Sequence, residues 1–282
     1  MSQAPSLVVF TDLDGTLLNH HDYQWREAEP AVERLRRLGA PLILNSSKTR
    51  SEMESLRREL GNSHPFVTEN GSAVYTPKGY FTDTPPDAEI LEVELLGPPR
   101  DEILRVLHAF RRRHGYRFRG FADFSLRELQ DVTGLSRDAA RKASDRAGTE
   151  PLLWLDKRHP PSILARELES HGWRLVSGGR FLHAMGAVDK GEATRLLLSR
   201  YSASRYVRHG DLKSMALGDS DNDRGMLEAV DFPIVIPKAD GSPWAPGPFP
   251  ELVHAPMPGS AGWNNAVEAR LDLLFSSDPS PA

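Results

Sequence analysis

Five consecutive residues, Asp12-Leu13-Asp14-Gly15-Thr16, set two carboxylates one residue apart directly after the apolar run Leu7 to Phe10. At the end of a buried strand both acids can face one pocket, and Gly15 lets the chain turn sharply around whatever binds between them. Two acids so close call for a cation. They can also divide a reaction, one attacking phosphorus while the other trades a proton with the leaving oxygen and then with water. The plain alternative is a strand end with an Asx turn.

A second acidic run, Gly218-Asp219-Ser220-Asp221-Asn222-Asp223, follows the apolar stretch Met215 to Leu217, so its acids can meet Asp12 across neighbouring strand ends. Magnesium takes hard oxygen ligands and keeps several waters, so one or two carboxylates from each loop suffice. Asp219, Asp221 and Asp223 share the alternate spacing of an EF-hand calcium loop, but Gly225 falls one place late and Val230 stands where a bidentate glutamate is needed. A solvated acidic turn is the other reading.

Lys190, in Asp189-Lys190-Gly191-Glu192, falls where a helix starts. A cation there opposes the helix dipole, which suggests that it serves an anion elsewhere, although lysines at such places are commonly surface residues. Ser46, in Asn45-Ser46-Ser47-Lys48-Thr49, either donates to a phosphoryl oxygen or caps the following helix.

The elements that must position these residues alternate. Leu7 to Phe10 predicts a strand, Arg26 to Leu38 an amphipathic helix stopped by Gly39, Pro41 to Asn45 a strand, and Thr49 with Glu52 a capping box opening a helix to Gly61. Turns are expected at Asn70-Gly71 and Lys78-Gly79, and Pro85-Pro86 marks an exit. From Glu89 to Trp173 the texture turns irregular and arginine-rich, predicting an inserted module. Alternation resumes with a helix at Lys190 to Leu198, a strand at Met215 to Gly218, a helix at Arg224 to Val230, a strand at Pro233 to Ile236 and a closing helix at Asn264 to Phe275. Residues 237–262 read as a loop and the Ser/Pro-rich tail as frayed. Such alternation predicts a parallel sheet covered by helices, with ligands at the carboxyl ends of its strands.

Composition sets outer bounds. The 282 residues, 39% of them hydrophobic, can bury one large core and a smaller one. A formal charge of −4 gives no global pull toward nucleic acid or anionic membrane, and no cysteine is present, which excludes disulfides, thiolate zinc sites and cysteine nucleophiles. No run has signal-peptide or membrane-spanning length, so the expectation is a soluble cytoplasmic protein without membrane or nucleic-acid partners. Arg111-Arg112-Arg113 with Tyr116, Arg117 and Arg119 resembles a nucleic-acid patch, but no interleaved aromatics support it. The ten histidines show no metal-ligand spacing; His20, His21 and His183 read as pocket lining.

Taken in order, Asp12 to Thr16, Ser46, Lys190, and Gly218-Asp219 with Asn222-Asp223 resemble the four motifs of the haloacid dehalogenase superfamily of phosphatases. The resemblance implies an α/β fold: a Rossmann-like parallel-sheet core of residues 1–84 and 185–282 with an inserted α+β cap at 85–184. It implies Asp12 as nucleophile, Asp14 as general acid/base, Ser46 and Lys190 as catalytic partners, and Mg2+ on the Asp12 carboxylate, the Asp14 backbone oxygen and Asp219, with Asp223 steadying the loop.

Within that superfamily the chain is most similar to the mannosyl-3-phosphoglycerate phosphatase family, through Thr16 to Trp25, Ser46-Ser47-Lys48-Thr49, Glu69-Asn70-Gly71, Thr133-Gly134-Leu135-Ser136 and Gly178-Gly179-Arg180-Phe181. That likeness implies hydrolysis of 2-O-(α-mannosyl)-3-phosphoglycerate to mannosylglycerate and phosphate. Expected substrate contacts are Ser47, Lys48, Glu69, Asn70, Gly71, Arg141, Arg146, Gly178, Gly179, Arg180 and Asn222. Arg137, Arg141, Lys142, Arg146 and Arg180 suit a substrate carboxylate through planar, bidentate or point-charge contacts, or else form the wet side of a helix. One departure is Ala147-Gly148-Thr149-Glu150-Pro151, which lacks an acidic-aromatic pair before Glu150. Other readings are a broader sugar or glucosyl-3-phosphoglycerate phosphatase, a phosphohexomutase, and a phospho-Asp receiver module. Asp14 and the size of the cap weigh against the receiver.

Overall fold

The computed structural model describes residues 6–82, 86–178, 180–204, 206, 211–240, 242 and 244–275. Gly179, Pro85 and the tail after Phe275, all given expectations above, lie outside the described residues. The chain begins β1 (Ser6–Thr11), α1 (Glu29–Leu38), β2 (Leu42–Leu44), α2 (Arg50–Glu59), β3 (Phe66–Thr68), β4 (Ala73–Lys78) and β5 (Asp87–Leu95). Local signals set the helix ends: Gly39 closes α1 at φ 67°, and Thr49 with Glu52 makes a reciprocal capping box at the start of α2. The middle of the chain is α3 (Arg100–His114), β6 (Phe118–Gly120), α4 (Leu126–Thr133), α5 (Arg137–Ser144), β7 (Thr149–Trp154), α6 (Pro161–Glu169), β8 (Trp173–Gly178) and β9 (Phe181–Gly186). It ends with α7 (Lys190–Ser202), β10 (Leu212–Gly218), α8 (Arg224–Glu228), β11 (Phe232–Val235), β12 (Val253–His254) and α9 (Gly259–Phe275). The stretch expected as one loop, 237–262, thus carries an edge strand and the first turn of α9.

A five-stranded parallel sheet has the order β12-β11-β10-β1-β2. Both of its faces are covered, which is why its strands read as continuous apolar runs rather than alternating ones. Leu7 and Val9 of β1 join Leu42, Leu44, Met215 and Leu217 against α1 and α9, where Trp263, Val267 and Leu271 are buried. Val8 and Phe10 join Ile43 and Ala216 against Ala193, Leu197 and Tyr201 of α7 and Met226 and Leu227 of α8. Neither face of β1 meets water, so its carboxyl end is held rigidly.

A bridge from Asn45 to Val67 joins this sheet to a three-stranded antiparallel one, β3-β4-β5. Here the structure departs from the expected boundary at residue 85. β5 is hydrogen-bonded along β4, from Ala73 opposite Leu95 to Lys78 opposite Asp87, so residues 87–95 extend the sheet that starts at β3. The separate four-stranded antiparallel sheet β6-β7-β9-β8 and helices α3 to α6 occupy residues 100–186, around their own core of Ile103, Leu107, Phe110, Leu152, Leu164 and Ala184. The two connections pass in contact. A Cβ on Gly186 would lie 2.7 Å from Pro98 Cδ and 3.0 Å from Gly97 Cα, which only glycine permits. No helix among the described residues is long and apolar enough to cross a membrane.

Candidate active site

The site sits where β1 and β10 end side by side. Thr11 pairs with Leu217, and the Asp12 amide donates to the Leu217 carbonyl at 3.0 Å, so the chain leaves both strands at one place. Gly15, at φ 82°, turns the first loop back; a Cβ there would lie 2.8 Å from Asp219 Oδ2. The same glycine therefore serves the turn and the close approach of the two acidic loops. Ligand oxygens of Asp12, Asp219 and Asp223 lie within 4.8 Å of one another.

Lys190 is the cation of this cluster. It is fully buried, and its Nζ donates to Asp12 Oδ1 at 2.5 Å and Asp223 Oδ1 at 2.6 Å. Its position is set locally by Asp189, which caps α7 by accepting from the Glu192 amide at 2.9 Å, and across the core by Asn45, whose Nδ2 donates to the Lys190 carbonyl at 3.1 Å. The first-turn lysine thus does serve anions rather than the helix. Burial lowers its proton affinity, but the flanking Asp12 and Asp223 charges win and raise its pKa.

The carboxylates respond the other way. Burial, opposed by Lys190 and reinforced by Asp223 and Asp219, pushes Asp12 up; burial and then Asp223 push Asp219 up to about 6. Asp12 and Asp219, crowded with Asp223 around one ammonium, thus resist ionisation, and a hard divalent cation among their oxygens removes that conflict. The donor set fits Mg2+, being all oxygen and open to water. Asp223 differs from the other two: its Oδ2 accepts from the amides of Asp219 and Ser220 at 3.0 and 3.1 Å, while Oδ1 takes Lys190. Both of its oxygens are thus engaged in steadying the loop and the lysine.

Asp14 stands apart from the cluster. Lys48 Nζ meets its Oδ2 at 2.8 Å, while Oδ1 is buried without a hydrogen-bond partner among the described residues. Lys48, expected on the substrate, is therefore the partner of Asp14 and lies 5.4 Å over the Tyr23 ring. Ser46 is buried and does not cap α2; its Oγ accepts from the Lys48 amide at 3.3 Å, and Thr49 makes the cap.

Between β8 and β9 on one side and the loops around 47, 70 and 220–228 on the other lies a cleft of about 700 Å³. Ser47, Asn70 and Asn222 line it, as expected of substrate contacts, and so does His183, whose pKa burial, with help from Arg146, pushes down to about 3. Other expected contacts are placed elsewhere. Glu69 is 1% exposed with its carboxylate on cap residues 147–149, and Gly71 packs against the Asp189 carbonyl. Arg141 pairs with Asp138 on the exposed face of α5, Arg146 bonds Ala143 and Thr149, Arg180 bonds the Thr133 carbonyl, and Gly178 pairs with Phe181 at a strand end. A second cleft of about 510 Å³, lined by Gly15, His20, His21, Asp219 and Lys238, opens on the other flank of Asp219.

Four residues outside the sequence motifs line or hold the site. Arg174 and Val176 line the larger cleft from alternate positions of β8, a period-two signal present in Trp173-Arg174-Leu175-Val176. Trp263 Nε1 donates to Thr11 Oγ1 at 3.0 Å, and Thr11 Oγ1 to the Asp12 carbonyl at 2.7 Å, pinning the backbone at the strand end. Trp244 Nε1 donates to Asp221 Oδ1 at 2.8 Å and anchors the second acidic loop.

Known proteins resemble the chain in sequence and in fold. Residues 9–92 match the haloacid dehalogenase-like hydrolase family. A glucosyl-3-phosphoglycerate/mannosyl-3-phosphoglycerate phosphatase of Persephonella marina is 36% identical over 265 residues, covering 93% of this chain and 96% of that one. A mannosyl-3-phosphoglycerate phosphatase of Pyrococcus furiosus is 36% identical over 233 residues, covering 81% and 90%. In fold, a haloacid dehalogenase-like hydrolase from B. subtilis superposes with a TM-score of 0.60 at 17% identity over 94% of this chain and 98% of its own. Similarity across nearly the whole length, joined to this geometry, shows that the chain belongs to the haloacid dehalogenase-like hydrolases, in the family of the glucosyl-3-phosphoglycerate/mannosyl-3-phosphoglycerate phosphatases.

Proposed function

We propose that this phosphatase is a magnesium-dependent hydrolase of hexosyl-3-phosphoglycerates that works through an aspartyl-phosphate on Asp12. The observation that carries the proposal is the sharing of Lys190 Nζ between Asp12 and Asp223, with Asp219 in reach of the same point. Asp12, Asp219 and the backbone oxygen of Asp14 would hold the ion, which when bound neutralises the carboxylates and draws charge from the phosphoryl oxygens.

The chain's own residues supply the rest. Lys190 fixes the Asp12 carboxylate and opposes the rise that burial gives its pKa, so that with the ion bound the group stands ionised for attack. An Asp12 oxygen bonds to phosphorus as the ester P–O bond breaks, and the leaving oxygen takes a proton from Asp14. Asp14 then accepts a proton from water, whose oxygen attacks phosphorus, breaks the bond to Asp12 and releases inorganic phosphate. Lys48 on Oδ2 leaves Oδ1 of Asp14 as the oxygen that exchanges the proton. Ser46, buried just after β2, would orient a phosphoryl oxygen.

The larger cleft suits a sugar-acid ester in size, and the relatives carry both glucosyl and mannosyl names. Phosphate release from mannosyl- and glucosyl-3-phosphoglycerate, with Mg2+ and with chelator, tests this. Mg2+-dependent release from either is expected; failure with both, alongside turnover of other phosphosugars, would refute the substrate assignment.

A further inference from the structure

Glu69, Asn70 and Gly71 have φ of 53°, 57° and 96° in succession. Two of the three carry a Cβ, and each such residue costs about 1 kcal/mol or more in the left-handed region, so surrounding contacts must hold the segment there. Those contacts reach three of the segments that build the site. The Glu69 and Asn70 amides donate to the carbonyls of Lys48 and Ser46, both at 3.0 Å. Asn70 Oδ1 accepts from Asn222 Nδ2 at 3.1 Å, in the loop that carries Asp219 and Asp223. At Gly71 an added Cβ would lie 2.1 Å from the Asp189 carbonyl oxygen and 3.0 Å from the Lys190 nitrogen, so the segment abuts the start of α7.

The Glu69 side chain points the other way, into the cap. Its carboxylate accepts from the Ala147 amide at 2.7 Å, the Gly148 amide at 3.2 Å and Thr149 Oγ1 at 2.5 Å. Arg146 Nη1, turned inward, donates to the same Thr149 oxygen at 2.8 Å. Gly148 allows the approach, since a Cβ there would lie 2.9 Å from Ser72 Cβ. The stretch that departs from the family pattern, Ala147-Gly148-Thr149, is this docking strip.

We propose that Glu69 is a positioning residue that couples the cap to the phosphoryl-transfer groups: its carboxylate latches residues 147–149, and the left-handed segment it begins fixes Ser46, Lys48, Asn222 and the start of α7. The proposal rests on the phosphatase reading above. A substrate whose sugar fills the cleft between cap and core feels the latch, whereas an ester too small to reach the cap does not.

The test compares wild type, Glu69→Gln, Thr149→Val and the double variant on two substrates with Mg2+: the better of the two hexosyl-3-phosphoglycerates, and p-nitrophenyl phosphate. Glutamine keeps the shape but turns one acceptor into a donor facing donors. The ratio of kcat/KM for the sugar ester to that for the small ester is expected to fall about tenfold or more in Glu69→Gln. Thr149→Val should lower it in the same direction, and the double variant should lose no more than Glu69→Gln, because both cut one latch. A merely structural glutamate would lower both activities together with the folded fraction. An unchanged ratio, or losses that multiply in the double variant, overturns the proposal. Should Glu69→Gln not fold, Thr149→Val gives the same readout with Glu69 intact. Wild-type protein that released phosphate from neither ester would instead refute the underlying reading, which keeps the two failures distinct.

Discussion

The floor of the site and the cap both bury charge, and they treat it in opposite ways. In the cap, charge is matched: Arg111 forks onto Asp123 at 3.2 and 2.5 Å, Arg119 meets Glu128 at 3.0 Å, and Arg100 meets the fully buried Glu150 at 2.8 Å through Nε. The Ala122 amide satisfies the other Glu150 oxygen at 2.8 Å. The arginines that made this segment look like a nucleic-acid patch are thus partly engaged in holding the cap's own carboxylates. On the floor, three carboxylates share one ammonium, and burial, reinforced by the neighbouring acids, raises the pKa values of Asp12 and Asp219. Matched charge holds a shape, while unmatched charge marks a place for something the chain does not itself supply.

The largest test of that contrast is Asp12→Asn. Phosphate release should fall on the order of 10⁴-fold or more, because the nucleophile is gone. Thermal stability without metal should stay level or rise, since a carboxylate that burial disfavours is removed while Lys190 keeps Asp223. Turnover near wild type would break the assignment, and a lower melting temperature would place Asp12 with the matched charges. Next in size is the ion. Mg2+ at a hundred times its dissociation constant should stabilise the wild type by about 2.7 kcal/mol, read as a rise in Tm. Asp219→Asn should abolish both that rise and the activity; an equal rise in the variant would put the ion elsewhere.

Much of the floor was legible in the sequence because its signals are local. Apolar runs that stop at an acid mark strand ends, Gly15 marks the turn, and Thr49 with Glu52 marks the helix start; the parallel order of β1 and β10 then brings the acids together. Other features depend on pairings far along the chain. The partners of Glu69 lie about 80 residues away, so Glu69-Asn70-Gly71 reads only as a turn with an acid in it. β5 looked like part of the insertion because composition, unlike hydrogen bonding, does not show which neighbour a strand takes. Arg141, Arg146 and Arg180 were grouped by charge, and their directions are set by packing that helix periodicity does not encode.

In the cap, Glu150→Ala leaves the largely buried Arg100 with the Ser144 carbonyl but without its carboxylate partner. Breaking a buried pair from one side costs about 3 kcal/mol or more, so urea unfolding should show a loss of that order. Turnover of p-nitrophenyl phosphate at low temperature should stay within about twofold of wild type, because the floor is untouched. A proportional loss of chemistry with little loss of stability would erase the distinction between the two regions.

His64 shows that the distinction follows partners rather than location. It lies in the core, yet it is matched: its Nδ1 meets the Tyr80 hydroxyl at 2.7 Å, and that hydroxyl meets Tyr201 at 2.9 Å. Burial, and then the charges of Arg57 and Arg36, push its pKa down to about 4, so it stays neutral in the fold. Unfolded, it takes a proton below about 6.5, and the unfolded chain therefore binds more protons between pH 6.5 and 4. Its contribution is complete above pH 6.5 and is lost as pH falls toward 4, on the order of 3 kcal/mol over the window. His183, lowered by burial and Arg146, adds loss over the same range. His64→Gln should flatten the decline of urea-derived stability in that window by up to about 1.4 kcal/mol per pH unit, one proton's worth. Identical slopes in the two proteins would mean that His64 takes up its proton in the native state as it does in the unfolded chain, so that burial and the two arginines do not hold it neutral.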